Sequence, residues 1–515
     1  MAHDWREAPA VYQIYPRSFR DTTGSGEGDL KGILEGLPGI AELGVDAVWL
    51  SPFFVSPMQD GGYDVVDHRA VDPRFGTLDD FDAIVARAHE LGLKVMIDQV
   101  LNHTSCEHPL FLAAIDGDEA AAECYLWRDP KPDGTQPNNW LSQFGPPAWT
   151  WNHKRRQYYF HQFLACQPSL NLRNDRVREM HMAEIRFWRD RGVDGFRFDA
   201  VTSYLWDESL ADNPPASPEV QDKVSGENFV PYTYQDHVHD MLPGDGAAYA
   251  EVLREAAGED AWLIGESTSG NKSLELALAF TEPGRLDGCY TTDLPETGGS
   301  AETWARVFET IPDLRRYPKW LSSHDQPRHI SRAGDGSPRD AAFFAVMMAV
   351  LPGPWLIYQG EELALPQPEL TKEETTDPLD LLYWPDGPGR EGARVPIPWT
   401  GEEPAYGFTT GKPWLPMRWS SDRAMDAQDH RSIRGLYARA LRLRREHGWG
   451  AGRVTGHEID GDLLRVRMEA GGARWEAVFN YGAEMIELGH DHPPVLESQT
   501  CEAGFLGRTS AIWRL

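Results

Sequence analysis

Three carboxylates close short apolar runs in this chain. Asp199 ends Gly195-Phe-Arg-Phe-Asp199, Glu266 ends Trp262-Leu-Ile-Gly-Glu266, and Asp325 ends Trp320-Leu-Ser-Ser-His-Asp325. Runs of this length read as barrel strands, and a barrel enzyme meets its substrate at the carboxyl ends of its strands. Two carboxyls so placed can divide glycoside hydrolysis between them, one protonating the leaving oxygen and one attacking the sugar. The third can stabilise the positive charge that grows at the anomeric carbon. One acid at a strand end is as readily a cap or a surface charge. Three acids at three strand ends are hard to explain without a shared site.

The elements that must position them recur along the chain. Apolar runs at 11–15, 47–50, 95–100, 195–199, 262–266, 288–294, 320–324 and 355–360 alternate with helical segments, which argues for βα units and a parallel sheet. After the second run, Phe81, Ile84, Val85 and Ala88 fall at helical spacing, and Gly92 follows as a stop. Eight such units predict an α/β fold, a (β/α)8 TIM barrel, over 1–102 and 171–445. Residues 103–170, rich in Trp, Pro, Asn and Tyr, are too long for a plain loop and predict an inserted subdomain over the barrel mouth. The Pro- and Gly-rich stretch 361–430 is expected to wall the site, and the strand-like runs from Val454 onward predict a small C-terminal β domain over 446–515.

Composition narrows the function classes. The chain has 515 residues, with 80 acidic against 49 basic side chains and a net charge of −31. Such a surface repels phosphate backbones and anionic lipid, so nucleic acid and membrane partners are excluded. The cysteines (Cys106, Cys124, Cys166, Cys289 and Cys501) are odd in number and lack CxxC spacing, which predicts neither a disulfide framework nor a zinc site. The opening Met-Ala-His-Asp-Trp-Arg-Glu has no basic and apolar leader pattern, so a cytoplasmic protein is expected.

Taken together, these segments resemble glycoside hydrolase family 13, the α-amylase family, and within it the bacterial α-glucosidase and oligo-1,6-glucosidase branch. The opening Val-Tyr-Gln-Ile-Tyr-Pro-Arg-Ser-Phe at 11–19 is similar to the first strand of those glucosidases. Asp98-Gln-Val-Leu-Asn-His103 resembles the family's Asp-x-Val-x-Asn-His segment, and the runs ending in Asp199, Glu266 and Asp325 resemble its nucleophile, acid and stabiliser segments. The resemblance implies Asp199 as nucleophile, Glu266 as general acid/base and Asp325 as a ligand of the sugar 2- and 3-hydroxyls. Glu266 then needs a raised pKa. Arg197, on the same side of its strand as Asp199, is placed to keep that carboxylate ionised. His103 and His324 look like the paired histidines of the −1 subsite, and Asp98 like a brace that holds Arg197.

Gly62-Tyr63-Asp64 and Arg394, in Ala-Arg-Val-Pro-Ile-Pro-Trp, are similar to the segments with which exo-acting members clamp the 4-hydroxyl of a terminal glucose, Tyr63 stacking on the ring. Ala200, after the nucleophile, leaves room beside the aglycone and favours α-1,4 over α-1,6 linkages. Phe163 and Gln167 are expected to line the same pocket, while Asn138, Trp140 and Trp149 belong either to it or to the subdomain core. The resemblance thus implies a retaining exo-α-glucosidase acting on maltose, short malto-oligosaccharides, sucrose or other α-glucosides. Two alternatives stay open: a transglucosylase or sucrose-acting enzyme with the same acids, and a non-catalytic binding relative.

Three departures stand out. Ser169 replaces an Asp of the family pattern, and Pro146-Pro147 replaces a Gly pair. The cation loop reads Asp21-Thr-Thr23-Gly-Ser25-Gly-Glu27-Gly-Asp29, with hydroxyls where relatives carry amide and carboxylate ligands. Asp21, Thr23, Ser25, Glu27 and Asp29 are the candidate ligands of a weakly held structural Ca2+ or Mg2+. No organic cofactor is implied.

Overall fold

A computed structural model describes residues 4–218, 230–268, 273–484, 486–487, 492–499, 505–506 and 508–515. Seven parallel strands form its central sheet: β1 (Ala10–Ile14), β2 (Ala47–Leu50), β3 (Lys94–Gln99), β4 (Gly195–Phe198), β5 (Trp262–Ser267), β6 (Gly288–Thr291) and β7 (Trp355–Tyr358). The sheet order is β6-β5-β4-β3-β2-β1-β7. The eighth position belongs to the segment around Lys319, which makes a parallel bridge to Trp355. Lys319 N donates to Pro354 O and Leu356 N to Lys319 O, both at 2.9 Å. On the other side, Trp320 Nε1 reaches Thr291 O at the end of β6 (2.8 Å). The expected strand 320–324 therefore does not ladder with its neighbours: the parallel bridge lies at Lys319, and Ser323 bridges only back to Gln326. Pro318 supplies no amide, and Ser323 Oγ takes the amide of Asp325 at 3.1 Å, so the chain turns instead of laddering. With that segment the sheet closes as a (β/α)8 barrel.

The strands are buried on both faces, and their period of two separates inside from outside. Val11, Ala47, Trp49, Met96, Trp262, Ile264, Tyr290, Trp320 and Leu356 fill the barrel interior. Phe196, Phe198, Val95 and Ile97 pack outward against the helices. Two residues on from Met96 comes Asp98; two on from Gly195 comes Arg197, then Asp199; two on from Ile264 comes Glu266. The interior face thus turns from apolar to ionic toward the carboxyl ends. Gly195 is needed at the narrow part, since a Cβ there would lie 2.5 Å from Trp262 O.

The helix Leu78–Glu90 forms where its period placed it. Thr77 and Asp80 make a capping box, and Phe81, Ile84, Val85 and Ala88 are buried. Between β3 and β4 lies an antiparallel sheet of Trp127–Arg128, Gln157–Phe160 and Trp149–Asn152. Its core of Leu126, Trp140, Ala148, Trp149 and Phe160 includes Trp206, from the long connection after β4. The C-terminal sheet has the order β8-β9-β10-β12-β11, from β8 (Arg453–Asp460), β9 (Leu463–Ala470), β10 (Ala473–Asn480), β11 (Leu496–Glu497) and β12 (Thr509–Arg514). The helix before it, Ile433–His447, runs two residues past the expected boundary at 445. No described helix is long and apolar enough to cross a membrane.

Candidate active site

The strand ends deliver Asp98, Arg197, Asp199 and Glu266 to one point. The Arg197 guanidinium, wholly buried, donates at 2.6 Å to each of Asp98, Asp199 and Glu266, and its Nε reaches Tyr290 Oη at 2.8 Å. Asp98 is itself held by Trp49 Nε1 (3.0 Å) and Tyr63 Oη (3.1 Å), so it braces the arginine from below. One guanidinium thus bridges Asp199 and Glu266. Ala200 has φ +44°, a left-handed turn rare for a residue with a Cβ, and it lifts the chain sharply out of the strand after Asp199.

Burial dominates the electrostatics. It pushes the Asp199 carboxyl up to about 7, with Asp98 and Asp325 adding to the rise and Arg197 opposing it. Glu266 is raised too, first by burial and then by Asp199 and Asp325, again against Arg197. Arg197 does act in the expected direction on Asp199, but burial outweighs it, and its single charge is shared among three acids. Asp325 goes the other way. Burial alone would raise it, but His324, Arg394 and Arg390 together hold it well below the carboxylate range. Its contacts are His324 Nε2 at 2.9 Å, Arg394 Nη2 at 2.8 Å and Arg390 Nη1 at 3.2 Å. His103 is driven down to about 4 and His324 is also lowered, both chiefly by burial.

These groups open on a cavity of about 240 Å³ lined by Asp60, Tyr63, His103, Phe163, Ala200 and the acids Asp199, Glu266 and Asp325. Tyr63 stacks on His324 with ring centroids 5.0 Å apart. Gln143, Phe144, Thr268, Leu379 and Pro388 also line it. A wider groove of about 710 Å³, beside the C-terminal sheet, gathers no comparable acids; its Asp313 and Glu469 are paired with Arg315 and Arg453.

Two sequence expectations about this pocket need correction. Asp64 and Arg394 do not meet. Asp64 is buried within its own loop, accepting from Ser56 Oγ (2.8 Å), Gln59 N (3.0 Å) and Asp60 N (3.2 Å). Arg394 lies beneath the pocket, bonded to His324 O, Asp325 and Asp377. The pair that faces the cavity is Asp60 and Arg390, joined at 2.6 Å. Each precedes the expected residue by four positions, a distinction that a motif without coordinates does not carry. Gln167, expected on the wall, stands behind it, donating to Asp60 Oδ2 (2.9 Å) and lying 3.2 Å from His103 Nε2. Trp140 and Trp149 belong to the subdomain core, Trp149 Nε1 donating to Asn138 Oδ1 at 2.7 Å. Ser169 Oγ accepts the Gln162 amide (3.1 Å), a local bond the missing Asp does not interrupt.

The side chains of the candidate cation loop are engaged with one another and with their neighbours. Asp21 already accepts from the amides of Thr23 (2.8 Å), Gly24 (3.0 Å) and Gly26 (2.7 Å) and from the hydroxyls of Thr23 (2.9 Å) and Thr409 (2.5 Å). Asp29 caps the helix Leu30–Leu43, Glu27 pairs with Arg17 (2.9 Å), and Ser25 Oγ donates to Glu27 O (3.0 Å). Hydrogen-bond donors thus already meet the Asp21 carboxylate on both oxygens. Among the described residues no group of three or more His, Cys, Asp or Glu side chains is arranged to hold an ion.

The family description "Alpha amylase, catalytic domain" matches residues 13–450. The chain belongs to the α-amylase family, glycoside hydrolase family 13, in its α-glucosidase branch, and it is a glycoside hydrolase. It is 42% identical over 498 residues to a probable alpha-glucosidase of Rhizobium meliloti (strain 1021), covering 93% of this chain and 90% of that protein. It is 36% identical over 449 residues to the trehalose-6-phosphate hydrolase of Escherichia coli (strain K12), covering 80% and 78%. Among solved structures, an alpha-glucosyl transfer enzyme superposes with a TM-score of 0.91 at 38% identity over 99% of both chains.

Proposed function

We propose that this protein is a retaining, exo-acting α-glucosidase that removes terminal non-reducing glucose from short α-linked oligosaccharides. The observation that carries this reading is the ion-pair network on the cavity lining, where Asp60, Arg390 and Asp325 are joined through 2.6 and 3.2 Å bonds. A continuing glucan chain would have to pass through that network, whereas a terminal sugar hydroxyl can hydrogen-bond to it. The cavity is also small beside the roughly 300–1,000 Å³ of typical ligand pockets, which suits a short substrate.

In the first step Glu266 gives its proton to the glycosidic oxygen while the Asp199 carboxylate attacks the anomeric carbon. The carbon–oxygen bond to the aglycone breaks and a glucosyl ester of Asp199 forms. Glu266 then takes a proton from water, which attacks the same carbon and frees Asp199. Asp325, kept ionised by His324, Arg394 and Arg390, faces the positive charge on the ring in both transition states. His103, neutral through burial, is a hydrogen-bonding partner for the sugar rather than a competing acid. Ala200 leaves space at the aglycone, so we favour α-1,4 linkages.

The cavity's cation, Arg390, is spent on Asp60, Asp325 and Asp377. Among the described lining residues no further basic group remains for a phosphate, so uncharged substrates are favoured over sugar phosphates. Phe144, Phe163, Leu379 and Pro388 give the lining an apolar side that can hold an alcohol in place of water. Together with the similarity to a glucosyl transfer enzyme, this supports transglucosylation or action on sucrose as the second reading. We place the protein in the cytoplasm, where the free thiols of Cys106, Cys124, Cys166 and Cys289 would persist. Product analysis on maltose, isomaltose, sucrose and soluble starch tests the proposal. Glucose from maltose with starch untouched is the expected outcome; internal cleavage of starch would overturn it.

A further inference from the structure

The inserted segment meets the loop after β3 through a short antiparallel ladder. Its rungs are Leu170 N to Asn102 O (2.8 Å), Thr104 N to Pro168 O (3.2 Å) and Cys106 N to Cys166 O (2.7 Å), and His103 bridges Ser169. Carried on from the His103–Ser169 bridge, the same register brings the turn residues Cys106 and Cys166 opposite each other, joined by the one backbone bond from Cys106 N to Cys166 O. Side chains alternate between the two faces of such a ladder. His103, Ser105, Gln167 and Ser169 take the face toward the sugar pocket, while Thr104, Cys106, Cys166 and Pro168 take the face behind it. Opposed residues in a hydrogen-bonded antiparallel pair have Cα atoms about 5.5 Å apart, in the middle of the roughly 4.4–6.8 Å that disulfides span. Both cysteines are free and only partly buried.

We propose that Cys106 and Cys166 are an oxidisable dithiol whose disulfide clasps the inserted segment to the loop behind the sugar pocket. The oxidant is a low-molecular-weight disulfide. One protein thiol loses its proton and attacks a sulfur of that molecule, giving a mixed disulfide and releasing one small thiol. The second protein thiolate then attacks the mixed disulfide, forming the Cys106–Cys166 bond and releasing the second small thiol. Burial raises both thiols, and each is raised further by acids nearby, so thiolate is scarce at neutral pH and closure is slow. The pair is therefore a clasp for sustained oxidation rather than a fast sensor. The loop it closes contains the whole three-stranded sheet, and cross-linking it restricts the unfolded chain. The pocket face of the ladder is already tied down by Gln167, Asp60 and the Tyr63 carbonyl, so closure requires little movement at His103.

The test incubates the full-length protein with oxidised glutathione at mildly alkaline pH, quenches with acid, alkylates remaining thiols and maps peptides without reduction. The expected result is a Cys106–Cys166 cross-linked peptide that dithiothreitol removes. It is accompanied by a Tm several degrees higher than that of the reduced protein, and Cys106→Ser shows neither change. Recovery of Cys106 and Cys166 as alkylated thiols, or as two separate glutathione adducts, would overturn the pairing. A cross-link with an unchanged or lowered Tm would overturn the clasp.

Discussion

Asp60 and Arg390 lie 330 positions apart in sequence and 2.6 Å apart on the lining of the cavity. Because the pair is buried, a sugar hydroxyl that bonds to it gains charge-assisted hydrogen bonds in a poorly screened place. Asp60→Ala or Arg390→Ala is expected to lower kcat/KM on maltose by about ten- to a hundredfold, the worth of roughly 1.5–3 kcal/mol per such bond. Asp64→Asn, which alters a loop-internal acceptor, is expected to lower Tm with a much smaller change in KM. Steady-state kinetics and thermal melts of the three variants check this; a larger KM effect at Asp64 than at Asp60 would restore the original assignment.

The pH profile should follow the shared proton of the acid pair. The productive form carries a proton on Glu266 and none on Asp199. Asp199 is raised to about 7, so kcat/KM is expected to fall as pH drops below neutrality and the nucleophile is protonated. Glu266 is raised as well, so the alkaline loss, when it gives up its proton, lies above the ordinary carboxylate range. Asp98→Asn removes a neighbouring negative charge and frees Arg197 for Asp199, which should move the acid limb to lower pH. An acid limb that stays put in that variant would contradict the assignment.

Chelation should be without effect. With Asp21 and Asp29 saturated by internal donors, EDTA is expected to leave both Tm and activity unchanged. A loss on EDTA treatment that Ca2+ or Mg2+ reverses would show that the loop rearranges to bind a cation.

Glu184, buried on the helix Asp175–Asp190, is pushed up to about 8 by burial, and its Oε2 has no hydrogen-bond partner among the described residues. Between its ordinary value near 4.5 and about 8 the folded state holds a proton that the unfolded chain has released. Its contribution to stability is therefore present at acid pH, lost progressively as pH rises through that window, and fully lost above about 8. Glu184→Gln, neutral at every pH, should melt at a higher temperature than the parent at alkaline pH, with the gap closing toward acid. Parallel melting curves across pH would contradict the buried, protonated form.

The residues legible in the sequence were those fixed by strand periodicity. Asp199 and Glu266 sit two positions on from interior barrel residues, so an apolar run with an acid at its end already encodes their direction, whereas Asp98 lies inside its run and is legible only through the family segment it resembles. Loop residues carry no such rule. Asp60 and Asp64 share one turn, and only the amides of Gln59 and Asp60, folding back onto Asp64, decide which of the two faces the sugar. Arg390 and Arg394 are one helical turn apart, and the placement of Asp377 between their guanidiniums sorts them. The eighth strand failed because Ser323 and Pro318 act through local hydrogen bonding that an apolar count ignores. The aromatics of the inserted segment could be read as core or wall, and Trp206, far along the chain, settles Trp140 and Trp149 as core.

The measurement that bears most directly on the central claim is an anomeric proton NMR time course during hydrolysis of maltose. Double displacement through Asp199 and Glu266 predicts that glucose released from the non-reducing end appears first as the α anomer, with β following only by mutarotation. Early β-glucose from that end would mean direct attack by water and would contradict the account.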